Sequence, residues 1–359
     1  MRTYKWMAAI VLLLGMTSCG TYYRMVSQVN SDGSMHREVY AYGDSAFLAG
    51  DRNHNPFLFR IDSGWEVSNL DSVVKFSCWV DEYKLNVKVC RTYPTVSSDS
   101  FSTLDGKEYS LPLVVPVEKL RKSFRWFYTY YQYTATYGEL PDKGPVPLEN
   151  YMNKEEQRIW FRGDQEALIG LNGIEQNNRL DDIEAKFWKW YNRSQYELSC
   201  EVILHFITIK GDTAFVHQLA DLKEPVYGKY FSGKDTGDDG SPEEVCNYLD
   251  ELSQTKYFSS LYADNKKPMD DLFEEKGRIA ELFGYAVQFE LSMPGRVVST
   301  NAAMQKDESL IWKVDAFRLL DSDYMLVAES RVVNYWAFGI TLLLILLIGG
   351  YCWRLYRKL

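Results

Sequence analysis

The chain ends YMLVAESRVVNYWAFGITLLLILLIGGYCWRLYRKL, residues 324–359. Two readings meet in this stretch. Tyr324 to Val333 has the β-branched, alternating character of a strand. Val332 to Trp353 then runs for 22 residues without a charge. At about 1.5 Å per residue a helix of that length is roughly 33 Å long, matching the ~30 Å hydrocarbon core of a bilayer. Tyr335, Trp336, Tyr351 and Trp353 sit near its two ends, where amphipathic rings favour the membrane interface. Arg354, Arg357 and Lys358 follow with no acid, so the tail, 354–359, is expected to stay cytoplasmic. A buried core helix is the competing reading, but a soluble helix rarely carries ITLLLILLIGG unbroken. The spacing therefore predicts a last strand that leads into a transmembrane helix over 332–353.

The other end supplies a second membrane signal. Arg2 and Lys5 precede WMAAIVLLLG, residues 6–15, an apolar segment too short to span a bilayer; this is signal-peptide anatomy. Met16-Thr17-Ser18-Cys19 then resembles the lipobox of bacterial envelope lipoproteins, with Met16 where that family most often has Leu. The resemblance implies a signal peptide over 1–18, cleavage before Cys19, and acylation of Cys19, with palmitate-type chains as membrane anchor. An ordinary signal peptide with an incidental cysteine is the alternative. A lipid at Cys19 and a helix at 332–353 would tether the intervening body at both ends, close to the bilayer. A single-pass helix points to the inner membrane, with the body extracytoplasmic, in the periplasm, and membrane lipids as neighbours.

Composition excludes some roles for that body. With 40 Lys and Arg against 49 Asp and Glu, the 359-residue chain has a formal net charge of −9, and loss of 1–18 removes Arg2 and Lys5 but no acid. A nucleic-acid partner, which needs a basic surface, is not expected. At 46% hydrophobic and 25% charged, the chain is suited to a packed core. Of six cysteines, Cys78, Cys90, Cys200 and Cys246 lack metal-type spacing, so neither metal nor cofactor is expected. Cys78 and Cys90 flank a plausible hairpin and could pair across it; unpaired buried thiols are the plainer reading.

The pattern along the body reads strands, helices, strands. TYYRMVSQVNSDGSMHREVYAYGD, from Thr21, is a hairpin turning at Asn30-Ser31-Asp32-Gly33. Strand-like runs follow at Phe57–Ile61, Val73–Val80 and Leu85–Cys90. In 124–137, FRWFYTYYQYTATY, eight of fourteen residues are aromatic, and on a single strand they would occupy both faces. Such a strand wants covering on both sides, by helices or by membrane. The functional reading is an aromatic platform for a sugar or lipid built from Trp126, Tyr128, Tyr130 and Tyr131. From Leu180 the apolar positions Ile183, Phe187, Trp190, Tyr191, Leu198, Val202, Phe206 and Ile209 recur at helical spacing up to Gly211. A shorter helix precedes at 148–160, one begins at Ser241-Pro242-Glu243-Glu244, and another covers 270–284. YAVQFELSMPGRVVSTNA, SLIWKVDAF and YMLVAESRVV return to strands.

The expected fold class is α+β: an antiparallel sheet built from N- and C-terminal strands, a helical insertion, and one C-terminal transmembrane helix. The expected segments are a β-rich part over 19–145, the insertion over 146–284, and completing strands over 285–331. Pro294-Gly295, then Asn301, Trp312 and Ala328-x-Ser330 before a terminal membrane helix, with an SDGS turn after the lipid cysteine, resemble the LppM-type domain of envelope lipoproteins. The resemblance covers 19–60 and 285–353 and implies envelope or lipid binding rather than a reaction; it implies no catalytic residue.

The search for chemistry agrees with that. His36, His54, His205 and His217 form no metal spacing, and no Walker, G-x-S-x-G or dinucleotide loop is present. His54, in the loop DRNHNPF among Asp51, Arg52 and Asn55, is the remaining weak candidate, since loops carry sites. The leading expectation is a non-enzymatic membrane lipoprotein whose body binds a lipid, a glycan or an envelope protein partner. A membrane-surface hydrolase or transferase using His54, or a structural subunit of an inner-membrane complex, are the alternatives.

Overall fold

A computed structural model describes residues 21–78, 81–96, 101–102, 104, 108–141, 143–232 and 240–357, with backbone only at 74–78 and 81–82. The signal segment 1–18 and Cys19 lie outside the described residues. The chain folds as two compact units. One is drawn from residues up to Gly138, Tyr285–Asp315 and Asp323 onward; the other from Glu139–Gly284 and Ala316–Ser322.

The first unit is built on two sheets. Strands β1 (Thr21–Val29), β2 (Met35–Ala41), β3 (Glu66–Cys78), β4 (Asp81–Tyr93), β7 (Tyr285–Ser292), β9 (Met304–Lys306) and β10 (Ser309–Asp315) form a seven-stranded sheet in the order β3-β4-β2-β1-β7-β10-β9. Strands β5 (Val117–Arg125), β6 (Tyr128–Tyr137), β8 (Arg296–Thr300) and β11 (Tyr324–Val333) form a four-stranded sheet in the order β5-β6-β11-β8. The fold class is α+β, and each sheet combines strands from the N-terminal and C-terminal parts of the chain. Two expectations change. There are two sheets rather than one, and β1 pairs with β7 in parallel, Thr21 opposite Tyr285 through Gln28 opposite Ser292. The chain between these strands is long enough for a parallel crossover, which a short hairpin loop cannot make.

The β1–β2 hairpin turns on Gly33, whose φ of +101° belongs to the region that favours glycine. Its inward face alternates cleanly: Met35, Arg37, Val39 and Ala41 are buried. The corresponding face of the smaller sheet presents Glu118, Tyr131, Tyr133, Ala135, Tyr137, Leu326, Ala328 and Ser330. The two faces meet at an ion pair. Arg37 donates to Glu118 through Nη1 at 3.0 Å and Nη2 at 2.5 Å, and through Nε to Ser27 Oγ at 3.0 Å. Burial works against the Arg37 charge, and the Glu118 carboxylate more than restores it, so its pKa rises. Tyr133 also donates to Glu118.

The run 57–61 is not a strand. Phe57, Leu58 and Phe59 are buried, but their backbone is irregular. Side-chain and loop bonds hold it: Asn55 Nδ2 donates to the Phe59 carbonyl at 2.8 Å, and the Arg60 amide to that of Ser102 at 2.8 Å. The hairpin register sets Cys78 opposite Asp81 and Cys90 opposite Glu66, at its two ends. Cys90 is a free thiol 3.8 Å from Glu66 Oε2.

The second unit is helical. Helix α1 (Gly173–Lys210) opens on a capping box, with Asn172 and Glu175 each accepting from the other's backbone amide, and closes at Gly211 in the left-handed conformation. It starts earlier than its apolar stripe because that first turn is polar. Helix α2 (Thr213–Tyr230), absent from the sequence reading, carries Pro225 inside it. Helix α3 (Pro242–Ser253) starts at the Ser241 cap. Helix α4 (Tyr257–Gly277) extends well before the expected 270–284 and kinks at Asn265, three residues ahead of Pro268. Proline supplies no amide and crowds the preceding turn, which accounts for the break. Residues 278–284 continue as a 3₁₀ helix. The expected helix over 148–160 is three short pieces, Leu148–Asn150, Lys154–Gln157 and Arg158–Arg162. Ile203, Ile207, Val226, Val245, Leu249, Phe258 and Met269 lie in the common core.

Candidate membrane-contact site

Helix α5 (Tyr335–Tyr356) follows β11 after one residue, Asn334. It is long and apolar enough to cross a membrane, and 6% of its most apolar window is buried by the rest of the protein. Leu342–Ile348 are all exposed.

The aromatic run 124–137 is a hairpin, not one strand. Trp126 and Phe127 form the turn between β5 and β6, with Arg125 opposite Tyr128. That reorganises the proposed platform. Tyr131 faces inward, 2% exposed, and donates to the Ser31 carbonyl at 2.8 Å. Tyr128 and Tyr130 are half-buried on the outer face. Trp126 stands at the tip. The four therefore form no single surface, because the turn and the two-residue period of β6 send them three ways.

The tip is fastened to the head of α5. The Asn334 amide donates to the Phe127 carbonyl at 2.9 Å. Asn334 Nδ2 donates to the Arg125 and Trp126 carbonyls, each at 3.2 Å. Asn334 Oδ1 accepts from Thr129 Oγ1 at 3.0 Å. Asparagine is a common helix cap, yet here its side chain serves the hairpin and makes no cap bond. Trp126 Nε1 donates to Thr341 Oγ1 at 2.7 Å. Rings complete the clasp: Phe124 stacks on Trp336 with centroids 6.1 Å apart, Trp126 meets Trp336 edge-on at 5.4 Å, and Phe127 meets Phe338 at 4.6 Å. Thr341 lies six residues into α5, about 9 Å along its axis. The tip thus runs beside the first turns of an apolar helix, where Trp is favoured at an interface, while Phe124 and Trp126 stay 59% and 44% exposed.

The outer face above this clasp is basic. Register places Lys119, Arg121 and Arg125 of β5, Arg331 of β11 and Arg296 of β8 on it. Arg331 lies opposite Arg296 across the ladder. The Arg331 guanidinium is 4.7 Å from the Tyr128 ring centroid and that of Arg125 is 5.1 Å from Tyr130. Glu329 is the carboxylate on this face among the described residues, and it accepts from Gln132 Nε2 at 3.1 Å. Gly295 brings β8 in: at φ +75°, a Cβ there would lie 2.3 Å from the Arg331 carbonyl oxygen. Ser330 Oγ donates to the Pro294 carbonyl at 2.8 Å beside it.

The other residues singled out in the sequence have structural work. Asn301 Oδ1 accepts from Trp312 Nε1 at 3.0 Å and from the Val327 amide at 2.8 Å, while its Nδ2 donates to the Met325 carbonyl at 2.7 Å. It straps β10 of the larger sheet to β11 of the smaller. Ala328 is fully buried. His54 sits on a surface loop, half exposed, with Nδ1 2.8 Å from Asp44 Oδ2. Asp44 caps the Ser45–Leu48 turn; the Phe47 amide and then His54 hold its carboxyl below the usual range. Among the described residues no cluster of His, Cys, Asp or Glu is arranged to hold a metal. In the helical unit an open cleft of about 420 Å³ is lined by Pro145, Tyr151, Arg193 and Glu197; there Arg193 is already taken up by Glu197 and Glu224.

No family model matches the chain, and no curated protein matches it. Among solved structures, the NMR structure of the folded domain of the Mycobacterium tuberculosis LppM protein matches at 9% identity, over 88% of this chain and 91% of that one, with a TM-score of 0.23. A likeness of that size carries no argument, and the reading of the site rests on its own geometry.

Proposed function

We propose that this is a membrane-anchored, non-enzymatic binding protein whose β-rich unit is held at the bilayer surface. The reading has an envelope lipoprotein in the inner membrane, acylated at Cys19 and crossing once at α5, with its body extracytoplasmic and its ligand a lipid, a glycan or an envelope protein. The observation that carries it is the clasp at Asn334: an aromatic hairpin tip hydrogen-bonded to the head of a helix that is apolar all round. A helix apolar all round wants a membrane or a large core around it, and the described residues place no core around this one.

The test is topology. Single cysteines at Ser299 and at Leu359, in a chain whose native thiols other than Cys19 are replaced, are labelled in sealed spheroplasts with a membrane-impermeant maleimide. Ser299→Cys should label from outside and Leu359→Cys after lysis alone. The reverse pattern overturns the orientation, and labelling of both overturns the span. Incorporation of labelled palmitate that survives Cys19→Ser would remove the lipid anchor from the reading.

A further inference from the structure

We propose that the outer face of the four-stranded sheet, at its α5 end, binds the headgroups of anionic phospholipids through Arg296 and Arg331, with Arg125 and Arg121 beside them. This rests on the reading that α5 spans a membrane.

Arg331 and Arg296 are direct neighbours across an antiparallel ladder, a position where like charges repel. Three buried or half-buried arginines elsewhere in the same unit are matched. Arg24 is bonded to Glu290 at 2.7 Å, Arg37 to Glu118 at 2.5 Å, and Arg91 to Asp62 at 3.2 Å. Among the described residues, no carboxylate lies within the 4.0 Å of an ion pair from Arg121, Arg125, Arg296 or Arg331. Glu329, two residues from Arg331, is spent on Gln132. The repulsion is not an accident of a mobile loop, because Gly295 is folded against the Arg331 carbonyl and sets Arg296 in place. Tyr128 and Tyr130 lie against the Arg331 and Arg125 guanidiniums. A guanidinium stacked on a ring keeps its N–H edge free, and that fork matches phosphate oxygens.

Location selects the anion. Arg331 is four residues before the first residue of α5, and Arg125 adjoins Trp126, which is bonded to Thr341 inside the helix. The arginines thus sit at the depth of the headgroups when the helix is in a bilayer. A chain of net charge −9 is repelled by an anionic surface as a whole, so a concentrated basic face on the membrane side also orients it.

The test uses the full chain reconstituted in vesicles of phosphatidylcholine alone and of equimolar phosphatidylcholine and phosphatidylglycerol. Tryptophan quenching by brominated phosphatidylglycerol is compared with quenching by brominated phosphatidylcholine, in a W353F background throughout so that Trp126 and Trp336 report the interface. The native chain should prefer the anionic lipid by about fivefold or more, and R296Q/R331Q should lower the ratio to near one, with near-UV circular dichroism unchanged. R296K/R331K should keep part of the preference, which separates lost charge from lost packing. A native ratio of one, or a preference that R296Q/R331Q leaves intact, overturns the proposal, including in favour of an acidic protein as the partner. Absence of quenching by either lipid means that α5 is not inserted; the anchoring reading then fails and takes this one with it.

Discussion

The two faces of the four-stranded sheet use the same residue types to opposite ends. Inward, Tyr133 and Arg37 converge on Glu118, and that buried pair of charges is matched and dry. Outward, Tyr128 and Tyr130 lie against Arg331 and Arg125, which have rings but, among the described residues, no carboxylate in ion-pair range. A buried guanidinium without its partner would carry an uncompensated charge; an exposed one can wait for an anion from outside. The difference separates what holds the sheets together from what is available for contact.

The inner face should break hardest. Glu118→Ala leaves Arg37 unpaired in the core and should cost about 4 kcal/mol, read as a large fall in the urea midpoint in detergent micelles; a loss under about 1 kcal/mol would mean that the pair adds little net stability. Next is Gly295→Ala, which forces a Cβ toward the Arg331 carbonyl in a left-handed conformation. It should cost about 3 kcal/mol and lower anionic-lipid preference with it, whereas an unchanged melting temperature would show that β8 can simply back away. Asn334→Ala removes three side-chain bonds between the hairpin tip and the chain entering α5. About 2 kcal/mol is expected, together with a changed Trp126 emission; unaltered emission would detach the clasp from Asn334. The smallest effect should come from R296Q/R331Q. In phosphatidylcholine it should raise stability by less than about 1 kcal/mol as the cross-strand repulsion goes, and a drop there would mean that the arginines are matched after all.

Legibility in the sequence followed how local the cause was. The 21–41 hairpin announces itself through Asp32-Gly33, α1 through its apolar spacing, and α5 through sheer length of apolar chain. The turn at Trp126-Phe127 has no glycine, asparagine or proline, and its partner Asn334 lies two hundred residues away, so 124–137 read as one strand. Helix α2 hid behind Pro225, and the first half of α4 behind Asn265 and Pro268. Residues 57–61 were rightly apolar but wrongly strand, since burial of Phe57 and Phe59 needs no ladder. The basic row of β5, Lys119, Arg121 and Arg125, could have been noticed once the turn was placed. Its completion by Arg296 and Arg331 depends on β8 lying beside β11, a neighbour relation that no local pattern encodes. His54, conspicuous in its loop, proved to belong to a surface pair with Asp44.

The junction between Val333 and Tyr335 is one residue long and that residue is tied on both sides. Such a joint has no slack. On the proposed reading, in which α5 crosses a bilayer, a lean of the rod as the bilayer thins is not absorbed at a swivel; either the four strands above turn with it as one plate, or the ties at Asn334 give way. That reading makes membrane thickness and the aim of the outward arginines a single mechanical variable.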